Sequence, residues 1–194
     1  MSRGGAVAAV VLAAGSGSRF GSTKQLALAH DRPLLRLALE SIARTPLGEI
    51  VVVLGADAGR VASVLAGLPV RIVVNEHHAT GMGSSVAAGI GALPAGTAAA
   101  VVALGDQPLP PGVVDALVRR WRDGAAQIVV PSYRGTRGNP VLFDASVFPE
   151  LESLTGDQGA RQLIAAAGER VDLVELDVDL PIDVDTADDL LGLG

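Results

Sequence analysis

The residues LAAGSGSRFGSTK (12–24) join a run of small apolar side chains to three glycines, three serines, Arg19 and Lys24. A turn so rich in glycine and serine can curl its backbone N–H groups around a polyphosphate. Arg19 adds a forked cation and Lys24 a point cation, each able to reach phosphate oxygens. Two familiar phosphate cradles are excluded by spacing. A dinucleotide fingerprint needs glycine where Phe20 stands and an acid about twenty residues on, whereas Asp57 comes too late. A P-loop needs Gly-Lys followed directly by Ser or Thr, but Ser22 and Thr23 separate Gly21 from Lys24.

Other segments offer complementary chemistry. ALGDQP ends an apolar run with Asp106, a hard oxygen ligand suited to Mg²⁺ against nucleotide phosphates. Alternatively, Asp106 caps a helix starting near Pro110 or stabilises a turn with Pro108. DVDT supplies Asp183 and Asp185, which share one face if extended. One could complete a metal site or orient an acceptor; equally, Asp185 and Thr186 could cap a last helix. In NEHHATGMGSSVAAG, Gly83, Ser84 and Ser85 stand near a helix start, as an anion or base-edge site or as a plain serine cap. His77 and His78 are adjacent and diverge if extended, a poor geometry for zinc. RGTRGN carries Arg134 and Arg137, and GDQGAR carries Asp157 and Arg161. These could pair with a phosphate or serve as surface charges.

The elements that must hold these residues follow from the apolar pattern. Residues 6–12, 49–55, 70–75, 98–105 and 126–131 are continuous apolar runs, as expected of strands covered on both faces. Helix-period segments alternate with them at 33–45, with Pro33 in the first turn, and at 57–66, 84–93 and 111–122. Beyond residue 131 the pattern predicts a hairpin-like NPVLF, helices near 145–153 and 158–167, a strand VDLVELD, and a helix from about 186. Successive β-α-β units give a mainly parallel sheet between helices. In that arrangement residue 15 and Asp106 both fall at carboxyl ends of strands, where open α/β sheets place ligands.

The 194 residues fit one domain, and with 49% apolar but only 3% aromatic residues the core must be aliphatic. Cysteine is absent, which excludes disulfides and thiolate metal sites. A net charge of −6 argues against generic binding to nucleic acid or anionic membrane. AVAAVVLAA after Arg3 has the length of a signal-peptide core, but that reading would discard the glycine-rich loop. No later run reaches the roughly twenty apolar residues of a membrane helix, so the expected location is the cytoplasm.

Taken together and in order, LAAGSGSRFGSTK, GMGSSVAAG (81–89), GDQP (105–108), GNPVLF (138–143), GDQGAR (156–161) and DVDTADDL (183–190) resemble a known family. It is the molybdenum cofactor cytidylyltransferase and guanylyltransferase-like (MobA-like NTP transferase) family of the nucleotidyltransferase superfamily. The resemblance implies one domain over 1–194, a three-layer α/β/α Rossmann-like fold, and transfer of a nucleoside monophosphate to a phosphorylated acceptor with pyrophosphate release. It implies nucleotide binding by Leu12, Ala13, Ala14, Gly15, Ser16, Gly17, Ser18, Arg19, Lys24, Asn75, Gly83, Ser84 and Ser85. Arg19, Lys24 and Asp106 would be catalytic, with Mg²⁺ on Asp106 and on Asp183 or Asp185. Arg137, Asn139, Asp157 and Arg161 would face the acceptor, molybdopterin or its metal-loaded form, whose product passes to a molybdoenzyme or its chaperone. Ala14, where the guanylyl branch has glycine, narrows the base pocket and favours CTP over GTP. Asn139 stands where histidine is usual, and Phe20 where methionine is common. Another phosphorylated acceptor, such as a sugar phosphate, polyol phosphate or phospholactate, and a non-catalytic cofactor carrier are the alternatives.

Overall fold

The computed structural model describes residues 3–15, 23–157, 159–184 and 189. In chain order the elements are β1 (Val7–Ala13), β2 (Leu28–Ala29), β3 (Arg32–Pro33), α1 (Leu34–Ala43), β4 (Ile50–Leu54), α2 (Ala58–Ser63), β5 (Arg71–Val74), α3 (Met82–Gly91), β6 (Ala99–Leu104) and α4 (Val113–Asp123). There follow β7 (Ile128–Tyr133), β8 (Thr136–Arg137), β9 (Val141–Asp144), α5 (Phe148–Glu152), α6 (Arg161–Ala166) and β10 (Val171–Leu176). The main sheet runs β10, β7, β9, β6, β1, β4, β5, with β8 paired to β7. β1 is parallel to β4 and β6, β4 to β5, and β10 to β7; β9 is antiparallel to both β6 and β7. The expected mainly parallel α/β fold is thus the observed one.

The continuous apolar runs have the cause anticipated for them. Val7, Ala9, Val11 and Ala13 of β1 pack with Leu35, Leu39 and Ile42 of α1 and Leu117 and Trp121 of α4 on one face. Val10 and Ala14 pack with Val86 and Ile90 of α3 and Leu151 of α5 on the other. A strand covered on both sides has no polar face to alternate with. The stretch that could be read as a secretory signal therefore contains the central strand, and without it β4 and β6 would lose their shared partner.

Two local expectations are corrected and a third is extended. Pro33 has φ −57° but ψ 134°, so it ends the β2/β3 ribbon, and the helix begins at Leu34, whose N–H donates to Ala27 O at 2.8 Å. Helix α3 begins at Met82, two residues early, because Gly81 at φ 120° and ψ 173° takes the turn. NPVLF is hairpin-like in pairing antiparallel with the preceding strand β7, but it also pairs with β6. Its residues 141–143, with Asp144, insert as β9 between β6 and β7, while the tight hairpin joins β7 to β8. The expected last helix, Ser16, Gly17, Ser18, Arg19 and Asp185 lie outside the described residues.

Chain order creates the functional edge. From β1 the chain moves outward through β4 to β5, then returns to β6 on the other side of β1. The carboxyl ends of β1 and β6 therefore flank a topological switch point, where such sheets form a crevice.

Candidate functional site

Gly15 follows the end of β1, and Asp106 follows the end of β6 by two residues. The two strand ends are joined by Gly105 N–H donating to Leu12 O at 2.8 Å. A side chain at Gly105 would meet Leu35 Cδ1 at 2.9 Å, Ala13 Cβ at 3.0 Å and Leu12 O at 3.1 Å. Glycine is required there by close approach, and it sets Asp106 directly over the crevice. Asp106 does not cap the following helix: α4 starts at Val113 after Gly112, and Leu109 N–H is taken by Ser41 Oγ at 3.0 Å.

Lys24 lies in the single 3₁₀ turn Lys24–Leu26 that follows the glycine-rich loop. Its Nζ donates to Asp106 Oδ2 at 2.8 Å and lies 3.4 Å from Asp183 Oδ1. The Lys24 side chain is 9% exposed, that of Asp106 23% and that of Asp183 59%. One nearly buried cation near the start of the chain is thus bracketed by two carboxylates, one from its middle and one from near its end. Burial pushes the Asp106 carboxyl above its ordinary range and the nearby Asp183 charge adds to this, although the Lys24 hydrogen bond and charge pull the other way.

Two carboxylate oxygens converging on one positive atom are a donor set that fits Mg²⁺ or Mn²⁺. Among the described residues, no group of three or more His, Cys, Asp or Glu could hold a metal. Mg²⁺ commonly takes one or two carboxylates and leaves its other positions to water and substrate phosphates, so a pair is sufficient.

Two glutamines not singled out by motif fix this geometry. Gln25, beside Lys24, donates its Nε2 to Gly15 O at 3.1 Å, anchoring the start of the loop. Gln107, beside Asp106, donates its Nε2 to Pro181 O at 3.1 Å, anchoring the segment that carries Asp183. That segment leaves β10 and crosses three strand positions to reach β6, roughly 14 Å at the usual interstrand spacing. Arg134 clasps its beginning, with Nε 3.0 Å from Asp177 Oδ1 and an Nη 2.5 Å from Asp179 Oδ1. Both glutamine Oε1 atoms are buried, with no hydrogen-bond partner among the described residues. GDQP contains Gln107, but its role becomes visible only through Pro181.

The second predicted cluster also assembles. Asn75 is buried at the carboxyl end of β5, with its N–H donating to Leu54 O at 2.7 Å. Its Nδ2 donates to Ser84 Oγ at 2.9 Å and Ser85 Oγ at 3.0 Å, and its Oδ1 accepts from His77 N–H at 2.9 Å. Ser84 lies inside the first turn of α3 and its Oγ donates to Gly81 O at 2.9 Å, so it is not the cap. Gly83 N–H donates to Gly156 O at 2.9 Å. A Cβ at Gly81 would lie 2.3 Å from Gly156 C, and one at Gly83 would lie 2.8 Å from Thr155 C. The start of α3 is therefore docked against the 155–157 loop, next to Asp157.

The residues expected to face the acceptor stand at the same sheet edge. Arg137 lies in β8, and Asn139 follows it, with its carbonyl accepting from Tyr133 Oη at 2.5 Å. Burial pushes the Tyr133 hydroxyl far above its ordinary value, so it is a permanent donor. Asp157 and the first residue of α6, Arg161, are exposed. Among the described residues, the side chains of Arg137, Asp157 and Arg161 form no hydrogen bond or ion pair.

Among known proteins, the chain is 37% identical over 196 residues to the nicotine blue oxidoreductase of Paenarthrobacter nicotinovorans, covering 96% of each. The crystal structure of Rv0371c from Mycobacterium tuberculosis H37Rv is 32% identical, covers 98% of both chains and superposes with a TM-score of 0.83. A manganese complex of Rv0371c is 30% identical over 97% of both chains, with a TM-score of 0.81. A nucleotidyl transferase from Methanothermobacter, 23% identical over 98% of this chain and 96% of that one, shares the fold with a TM-score of 0.78. The described switch-point crevice lies within residues 9–171 apart from Asp183, and over that range the sequence matches the MobA-like NTP transferase domain, the family to which this chain belongs.

Proposed function

We propose that the protein transfers a nucleoside monophosphate, preferentially CMP from CTP, to the phosphate of molybdopterin or its metal-loaded form, with Mg²⁺ as cofactor and pyrophosphate as product. The observation that carries this reading is the convergence of Lys24, Asp106 and Asp183 at the switch point, beside the start of the glycine-rich loop, in a MobA-like NTP transferase. An acceptor phosphate is already anionic near neutral pH, so no residue need remove a proton from it. The chain's task is to align two anions and offset charge on the leaving group. Asp106 and Asp183 would hold the cation, which supplies charge neutralisation at the triphosphate when bound. Lys24, Arg19 and backbone N–H groups of residues 15–21 would hold the phosphates. Asn75, Ser84 and Ser85 would line the nucleoside side, and Arg137, Asn139, Asp157 and Arg161 the acceptor side. The Ala14 methyl favours the smaller pyrimidine base. A cytoplasmic enzyme delivering its product to a molybdoenzyme or its chaperone accords with the absence, among the described residues, of a helix able to cross a membrane.

The test is pyrophosphate release with Mg²⁺, each of the four nucleoside triphosphates, and molybdopterin as acceptor. Release dependent on both CTP and the pterin supports the assignment. A clear preference for GTP overturns the base assignment, and release only with a sugar phosphate or phospholactate overturns the acceptor. A second reading, a redox role for the same cleft, is favoured by the 37% identity to a relative named as an oxidoreductase. It predicts oxidation of a reduced nicotinamide by nicotine blue without pyrophosphate release, whereas the loop departs from the dinucleotide fingerprint at Phe20.

A further inference from the structure

Lys24 occupies the place a divalent cation would need. Its Nζ lies 2.8 Å from Asp106 Oδ2 and 3.4 Å from Asp183 Oδ1, and its side chain is 9% exposed. A Mg²⁺ or Mn²⁺ ion at this site would take the same two carboxylates as its ligands. An ammonium lodged between those two oxygens fills the space that a dication bridging them would take, and the two cations repel one another there. The lysine is equipped to leave. It is a point charge on a flexible four-carbon stem, and it is anchored in a turn contiguous with the glycine-rich loop. The carboxylates are less free, since the Gly105 N–H bond to Leu12 O holds the backbone before Asp106 and Gln107 pins the Asp183 segment through Pro181 O.

We infer that Lys24 is a tethered placeholder for the divalent cation: it offsets part of the negative charge of Asp106 and Asp183 in the nucleotide-free protein, and it is displaced onto the phosphates when the cation enters with a triphosphate. The inference rests on the reading of this crevice as a cation and triphosphate site. Its consequence is that the cation alone binds weakly, because it must evict the lysine without offering it another anion. A triphosphate removes that penalty, so cation and nucleotide favour each other's binding through one side chain.

The experiment is a Mn²⁺ titration of the nucleotide-free full chain, followed by the electron paramagnetic resonance signal of free Mn²⁺, for the wild type, Lys24→Met and Lys24→Gln. Both variants are expected to bind Mn²⁺ about tenfold more tightly than the wild type, which corresponds to removal of a competing cation. In parallel, acylation of Lys24 by an amine-reactive ester, read by mass spectrometry, is expected to rise several-fold at saturating Mn²⁺ in the wild type. This second measurement carries the test if a Lys24 variant fails to fold. Equal or weaker Mn²⁺ binding by the folded variants, unchanged labelling of Lys24, or no Mn²⁺ binding by any form overturns the placeholder role. Pyrophosphate release with no tightening removes this inference alone. Tightening without pyrophosphate release from any triphosphate leaves Lys24 as a placeholder and removes the nucleotidyl-transfer reading.

Discussion

At the scale of single residues, the site depends on which polar atoms are paired and which are not. Among the described residues, the Gln107 side chain bonds Pro181 O and its buried Oε1 has no partner. The bond contributes about 1 kcal/mol and the orphaned carbonyl costs about 1–3 kcal/mol, so the two offset in stability. Gln107→Met is therefore expected to shift the melting temperature by no more than a few degrees. It frees the Asp183 segment, however, and should lower turnover about tenfold, as Asp183→Asn should. Because both changes act on one carboxylate, the double variant should lose less than the sum of the single effects. A double-mutant cycle on turnover checks this, and full additivity would contradict the coupling. Lys24 and Asp106 were legible as site residues because a glycine-rich loop and a strand-ending aspartate carry their chemistry in their own types. Gln25 and Gln107 were not, because a buried amide gains its meaning from partners, Gly15 and Pro181, that no local pattern specifies.

Elements add constraints that neither motif nor periodicity contains. Gly81, at φ 120° and ψ 173°, occupies backbone space reserved almost entirely for glycine, and a Cβ there would strike Gly156. Gly81→Ala is expected to cost about 1–3 kcal/mol of stability from backbone strain. It should also displace the start of α3 from the 155–157 loop. Since Ser84 and Ser85 lie on one side of that junction and Asp157 on the other, KM should rise for both triphosphate and acceptor. Steady-state kinetics with each substrate varied would show it, and a rise for only one would contradict the shared junction. The parallel strands were readable because each is an apolar run buried on both faces. β9 was legible only in part: Val141–Asp144 is short and follows Pro140, and it reads as the hairpin arm it forms with β7, while its pairing with β6 has no local signal. Helix α3 starts at Met82 because Gly81 takes the non-helical turn immediately before it.

Across the whole molecule, stability and activity are set at opposite edges of the sheet. Asp144, opposite Ala99 at the amino end of β6, accepts from Trp121 Nε1 at 2.8 Å, Ser146 N–H at 3.0 Å and Ser146 Oγ at 2.7 Å, and pairs with Arg3 at 3.1 Å. Burial alone would raise its carboxyl, but the two Ser146 bonds, the indole and the guanidinium together hold it below its ordinary value. A depressed carboxylate stabilises the folded state above the unfolded value, near pH 4, and that contribution fades as pH falls toward the folded value. Asp144→Asn should therefore unfold at lower temperature than the wild type at pH 7, with the difference shrinking below about pH 4. Its turnover should be unchanged, and thermal melts across pH together with one activity assay check both points. The other edge carries the central claim, that two carboxylates and a lysine at the switch point serve nucleotidyl transfer. Its most direct test is the transfer of label from α-phosphorus-labelled CTP to molybdopterin, with Mg²⁺, by the wild type and Asp106→Asn. The account predicts labelled pterin and stoichiometric pyrophosphate from the wild type and a loss of at least about a hundredfold in the variant, on the scale of removing one preorganised electrostatic group. Wild-type rates from Asp106→Asn would contradict it.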